Sequence, residues 1–311
     1  MYYPYFRGKQ YELVAIRECA ALVAENNFVP IIEPVKDSLS SLKRTLDELT
    51  KHNAQFVLIV NPKFGDFKNN PKPLLNDLIR DNLKDYDKLM LGYIADADSN
   101  LIDIADFVDE YKDSSIALIH YGFPNGKDLK DAVNKDIVKK HIFIDGLSGK
   151  LYQKHFKDYE RILIRDGFRK RRNADYPDRD HFSDLHITYD DEGMNGFGDF
   201  LIVGDDYMET GGPAYAVAIH LTYLDKEENM FIRHFISDRT DTPTDPAGKF
   251  FEALEKLKEE IDDAESMIFK SSASKEFIDL HNRGHFPGLG YVKKLSMLHH
   301  IELMADFRKR V

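Results

Sequence analysis

The sequence predicts an α/β fold, a (β/α)8 TIM-type barrel with an appended β-hairpin and C-terminal helices. Three observations lead there. Eight short runs are near-continuously apolar rather than alternating, as in strands covered on both faces. Helix-period segments lie between them. Successive runs start 20 to 39 residues apart, close to the roughly 30 residues of a strand-plus-helix unit in such barrels. A doubly wound open sheet is the alternative. Closure is preferred because the first run lies almost at residue 1, where it can pair with the eighth.

In order, the runs are Tyr2–Phe6, Phe28–Ile32, Phe56–Val60, Met90–Ala95, Ile116–Ile119, His141–Ile144, Arg161–Ile164 and Phe200–Val203. Leu13, Ile16, Ala20 and Val23 recur at helical spacing after the first run. Leu39, Leu42, Leu46 and Leu49 do so behind Ser38 as an N-cap, and Ile104, Phe107, Val108 and Tyr111 form a third stripe. Past the eighth run the rhythm changes. Tyr215–Leu224 and Met230–Ser237, joined by residues 225–229, read as a hairpin. Asp245-Pro246 opens a helix marked by Phe250, Leu254, Leu257 and Ile261. Two more helices follow, over about Ala273–Asn282 and about Tyr291–Arg308, with a turn at Phe286–Gly290 between them. The expected division is a barrel over 1–212 and a hairpin-and-helix appendage packed on it over 213–311.

Composition narrows the function. With 43 Lys+Arg against 54 Asp+Glu the formal charge is −11, which argues against a protein that binds nucleic acid by displacing phosphate counterions. A hydrophobic fraction of 42%, including 16 Tyr and 21 Phe, supplies a sizeable core and argues against disorder. The single Cys19 leaves no internal disulfide and no cysteine-based zinc site. The opening residues lack the apolar centre of a signal peptide, and no run approaches 18 apolar residues. A cytoplasmic protein without a membrane partner is expected.

Barrel enzymes place their chemistry at the C-terminal ends of the strands. Here a polar residue follows nearly every run: Arg7, Glu33, Asn61, Asp96, His120, Asp145, Arg165 with Asp166, and Asp205. Any single strand can end on a polar residue, but the set is expected to gather around one mouth. Glu33, Asp145, Asp166 and Asp205 are the candidate catalytic acids. Carboxylates held that close cannot all ionise freely, so one is protonated for acid/base work or a divalent cation, Mg or Mn, bridges them. Arg7, Lys9, Asn61, His120 and Arg165 are the candidate substrate-binding groups. Arg7-Gly8-Lys9 sets two cations where the first helix begins, and free N–H groups there hold a phosphate or carboxylate. The competing reading is that Arg7, Lys9 and Arg165 pair with the acids in a neutral structural network.

The connection from Phe168 to Asp199 is unusually long for a βα loop. It opens with Arg169-Lys170-Arg171-Arg172 and then turns acidic, as a lid or a partner-binding surface would. Gly193, Gly196 and Gly198 permit close turns but lack the order of a dinucleotide fingerprint. His299-His300 with Glu302 resembles a metal motif, yet adjacent helical histidines point about 100° apart, so a core role is expected. Cys19 falls in an apolar helix stripe and reads as buried and inert.

The opening Tyr2–Leu13, the Pro-Ile-Ile-Glu-Pro of Pro30–Pro34 and the segment Gly198-Asp199-Phe200 are similar to the "beta protein" family of bacterial and phage genomes. The similarity spans about residues 2–240. Gln10-Tyr11 stands where the family pattern has a basic residue and Gly, and Phe200 stands in place of Tyr. The resemblance implies a TIM-barrel-like protein from phage or antiviral defence neighbourhoods and supplies no agreed substrate. It singles out Lys9, Glu12, Glu33 and Asp199.

Two functions are therefore expected from different classes. The leading one is a barrel enzyme, hydrolase- or phosphodiesterase-like, acting on a phosphate-bearing or nucleotide-like small molecule by acid/base or metal-assisted chemistry. The alternative is a non-catalytic protein-binding subunit of an anti-phage system, with Tyr223 and Phe231 of the hairpin offered to the partner.

Overall fold

The computed structural model describes residues 1–68, 70, 74, 78, 79, 83, 85–209 and 211–310. The chain divides into two compact units, 1–165 with 185–199, and 166–184 with 200–311. The unit holding the hairpin thus also takes in 166–184 and 200–212, which the sequence reading assigned to the barrel.

Unit 1 is the barrel. Its strands are β1 (Tyr5–Phe6), β2 (Ile31–Ile32), β3 (Phe56–Ile59), β4 (Leu89–Asp96), β5 (Ser115–Tyr121), β6 (Val138–Ile144) and β7 (Glu160–Ile164). Skipping β8 (Arg179–Ser183), the eighth is β9 (Gly196–Gly198). All neighbours are parallel, in the order β1-β2-β3-β4-β5-β6-β7-β9. The ring is joined by Tyr3 N–H donating to Phe197 O at 2.8 Å and Tyr5 N–H donating to Asp199 O at 2.9 Å. Strand residues such as Val57, Leu58, Ile119, Ile142 and Ile162 are fully buried, because one face packs the barrel interior and the other the helices.

The helices of unit 1 are α1 (Gln10–Glu18), α2 (Ala20–Glu25), α3 (Leu39–Lys51), α4 (Leu101–Glu110), α5 (Gly126–Ala132), α6 (Lys150–Lys154) and α7 (Leu185–Thr188). In α3 the buried Leu42, Leu46 and Leu49 repeat every three to four residues, the stripe the sequence showed. Asn100 caps α4 by accepting from Ile102 N at 2.9 Å. Cys19, buried, sits where α1 gives way to α2.

The eighth strand corrects the sequence reading. Phe200–Val203 is a turn, with Leu201 in the left-handed region at φ 51°. Phe200, Leu201 and Ile202 are buried without being a strand. Gly196-Phe197-Gly198 takes the place in the sheet because the backbone leading into β1 comes very close there. A Cβ on Gly196 would lie 2.9 Å from Met1 O, and one on Gly198 would collide with Tyr3 O. Glycine is what the closure requires, and glycine carries no hydrophobic signal.

Unit 2 holds an antiparallel three-stranded sheet, ordered β10 (Ala218–Leu224), β11 (Met230–Ile236), β8. The hairpin is as expected. β8 comes from the long connection read as a lid, so that segment is partly a sheet edge. Helices α8 (Pro246–Asp262), α9 (Ser272–Arg283) and α10 (Leu289–Arg310) follow. Asp245 caps α8 by accepting from Gly248 N at 2.9 Å, and Ser271 caps α9 through Ser274 N at 2.9 Å. His299 and His300 are core groups. His299 bonds Ser271 Oγ at 2.8 Å and Thr222 O at 2.8 Å, and His300 bonds Thr222 Oγ1 at 2.9 Å. Glu302 accepts from Ser272 at the start of α9. Tyr223, offered above as partner surface, is 3% exposed and stacks on Phe231. Among the described residues no helix is long and apolar enough to cross a membrane.

Candidate functional site

The corner where β1 and β2 end is built around Glu33. After β1 the chain turns at Gly8, φ 60°, so tightly that a Cβ there would lie 2.8 Å from Glu33 O. That turn brings Arg7 back over β2. The Glu33 carboxylate is fully buried and accepts four hydrogen bonds. Oε2 takes Tyr5 OH at 2.8 Å and Arg7 Nη1 at 2.5 Å, while Oε1 takes Lys63 N at 2.8 Å and Phe64 N at 3.3 Å. The Arg7 guanidinium lies over the Phe64 ring, 4.6 Å from its centroid. Glu12 accepts from Arg7 N at 2.6 Å, and Lys9 is the N-cap of α1. A buried carboxylate with a counter-charge and full hydrogen bonding is stable in place. The Arg7–Glu33 half of the neutral network is thus present.

Next along the rim, Asn61 joins β3 to the β4 backbone, donating to Ile94 O at 2.9 Å and accepting from Ile94 N at 2.8 Å. Its side chain serves the sheet. Lys63, which the sequence reading passed over, reaches Asp96 Oδ2 at 2.5 Å and lies over the Tyr121 ring. Burial pushes the Asp96 carboxyl up, but hydrogen bonds from Lys63 and Ser99 outweigh it and hold the group below its ordinary value. The signal that could have found Lys63 was its place two residues after Asn61, on the loop leaving β3.

Asp145 and Arg165 also meet: Arg165 Nε donates to Asp145 Oδ2 at 2.6 Å, and Nη2 lies 3.2 Å from Glu192 Oε1, which also pairs with Lys150. This group is partly open to solvent, with Asp145 at 37% side-chain exposure.

Three predicted positions lie elsewhere. His120 faces the helices, not the mouth: Nδ1 meets Tyr152 OH at 2.7 Å and Nε2 meets His141 Nδ1 at 2.9 Å, with Phe143 stacked at 4.4 Å. Burial lowers the pKa of both imidazoles, that of His141 to about 3. Asp166 and Asp205 belong to unit 2. They meet as a turn, Asp166 Oδ2 accepting the backbone N–H of Asp205 at 2.8 Å and Oδ1 that of Phe168 at 2.9 Å. Asp199 follows β9 directly, is buried, and accepts Tyr2 OH at 2.9 Å.

Beside the Glu33 corner is a cavity of about 370 Å³, lined among others by Gly8, Gln10, Lys36, Ser38, Ser41 and Arg44. It opens between the first turns of α1 and α3, whose N-cap residues Lys9 and Ser38 make no side-chain capping bond. Arg44 is exposed, and Lys36 Nζ lies 3.9 Å from Asp66 Oδ1. The first turns of two helices and the cations Lys36 and Arg44 therefore border one cavity. Among the described residues no three His, Cys, Asp or Glu side chains are grouped to hold a metal ion. No protein-family model matches the chain, and no curated protein is significantly similar to it.

Proposed function

We propose that unit 1 binds a phosphate-bearing or nucleotide-like small molecule at the C-terminal ends of β1 and β2 and acts on it by acid/base chemistry. The cavity beside Glu33 carries this reading. The phosphate would lie against the first turns of α1 and α3, with Lys36 and Arg44 as counter-charges. Arg7 and Glu33 are committed to each other and hold the corner in shape. Lys63 and Asp96, next to Glu33 on the rim, are the pair that can exchange a proton with a ligand reaching inward.

The four positions that the beta protein resemblance singles out support the same corner. Lys9 stands at the N-cap position of α1, Glu12 holds Arg7, Glu33 joins β1 to β2, and Asp199 stands where β9 meets β1. Membership of that family is part of the proposal. A protein-binding role draws on a different observation: Leu151 is 74% exposed and Leu147 is 43% exposed, both near the C-terminal end of β6.

Calorimetric titration with inorganic phosphate and nucleoside monophosphates tests the proposal. Binding should weaken about tenfold in Arg44→Ala, the loss of one charge-assisted contact. No binding by the parent protein, or identical binding by the variant, would overturn the assignment.

A further inference from the structure

Unit 2 carries a polar row that the proposal above does not use. β10, β11 and β8 lie side by side, and their register sets His220 directly opposite His234. Asp180 faces Ile232, two residues from His234 and so on the same side of β11. Asp180, His234 and His220 therefore share one face across three adjacent strands. His220 Nδ1 lies 2.7 Å from His234 Nδ1, and the buried His234 Nε2 lies 3.5 Å from Asp180 Oδ2, an ion-pair separation at which it makes no hydrogen bond. Arg171 holds Asp180 through both terminal nitrogens. His234 is buried and His220 half-buried. The rings of Phe168 and Tyr176 meet His220 edge-on at 5.2 and 4.8 Å.

A proton count orients the row. Two neutral imidazoles share one proton in the Nδ1–Nδ1 contact. The negative charge of Asp180 favours a proton on His234 Nε2. His234 Nδ1 then carries a lone pair, and the shared proton belongs to His220 Nδ1. His220 Nε2 is left as a lone pair, and among the described residues it makes no hydrogen bond. Burial, reinforced by His234 and Lys293, keeps this imidazole neutral at pH 7.

We propose that His220 is the proton acceptor of a second site, taking the proton of a hydroxyl-bearing ligand or of water. His234 and Asp180 are positioning residues. The order is that of a serine–histidine–aspartate set with one more imidazole in line, except that Asp180 acts on His234 through its charge and not through a hydrogen bond. The ligand's O–H bond breaks, an N–H bond forms at Nε2, and the oxygen keeps the electron pair as a nucleophile. The charge gained by His220 is stabilised through Nδ1–H by His234 and Asp180. Nothing in this row belongs to the β1–β2 corner, so the two proposals fail separately.

Diethyl pyrocarbonate, which attacks an accessible imidazole lone pair, reads the site in the full chain when modified residues are located by mass spectrometry. His220 should be carbethoxylated and His234 should not. Asp180→Asn should slow the His220 reaction about tenfold, one unit of imidazole basicity, while the exposed His285 reacts as before. An inert His220, or an unchanged rate in the variant, would overturn the proposal. Should the variant fail to fold, nitrogen chemical shifts of the parent protein decide. The Nδ1–H tautomer at His220 with Nε2–H at His234 is required, and Nε2–H at His220 refutes it.

Discussion

Replacing Glu33 by Gln keeps the shape of the side chain and removes its charge. In the parent protein Oε1 accepts two N–H groups and Oε2 accepts Tyr5 OH and Arg7 Nη1. An NH2 at the Oε1 position would face two N–H donors, and one at the Oε2 position would face Arg7 Nη1 while Tyr5 OH turns to accept, so at least one hydrogen bond becomes a donor–donor contact. Arg7, 3% exposed, loses the charge of Glu33 in the same step. Breaking one side of a buried pair costs about 3–5 kcal/mol, and a unit of this size loses about 2–4 °C per kcal/mol. Thermal and urea denaturation of Glu33→Gln should accordingly show a midpoint lowered on the order of 10 °C. Arg7→Met combined with Glu33→Met should be less damaging than Glu33→Gln alone, because no buried charge is stranded. A Glu33→Gln protein within about 1 kcal/mol of the parent would refute the reasoning, and Glu33 would then be free for chemistry.

Two further outcomes follow from the fold. Gly198→Ala should weaken the closure of the barrel, since its methyl would collide with Tyr3 O and crowd Ile164 Cδ1 at 2.6 Å. Faster hydrogen exchange at Tyr3 and Tyr5 amides would register it, and parent-like protection would contradict it. Stability should also fall in mild acid. Burial depresses the imidazole of His141 to about 3 and that of His299 to about 4, whereas an unfolded histidine titrates near 6.5. Both groups are neutral in the folded state, so stability is level above pH 7 and declines as pH drops through the unfolded value. Each contributes a loss of about 2 kcal/mol between pH 7 and pH 5. Equal urea midpoints at those two pH values would rule this out.

The sequence by itself determined seven of the eight strand runs, the helix stripes, the hairpin and the parallel barrel, because burial on both faces of a strand and on one face of a helix is written locally as apolar spacing. It put Arg7, Glu33, Asp145 and Arg165 directly after strands, where the structure has them. What it left open was which way each one faces and what it touches. His120 lies in a run that is apolar on both sides, so alternation gave no sign that it turns toward Tyr152 instead of the mouth. Gly196–Gly198 went unseen as a strand because its qualification is the absence of side chains where β1 approaches. Phe200–Val203 looked like a strand because burial alone makes a run apolar. The division that sends Asp166 and Asp205 into the second unit, the meeting of Lys63 with Asp96, and the row of Asp180, His234 and His220 were decided by tertiary structure. Each depends on partners far apart in the chain, and local spacing specifies how deeply a residue is buried but not against what.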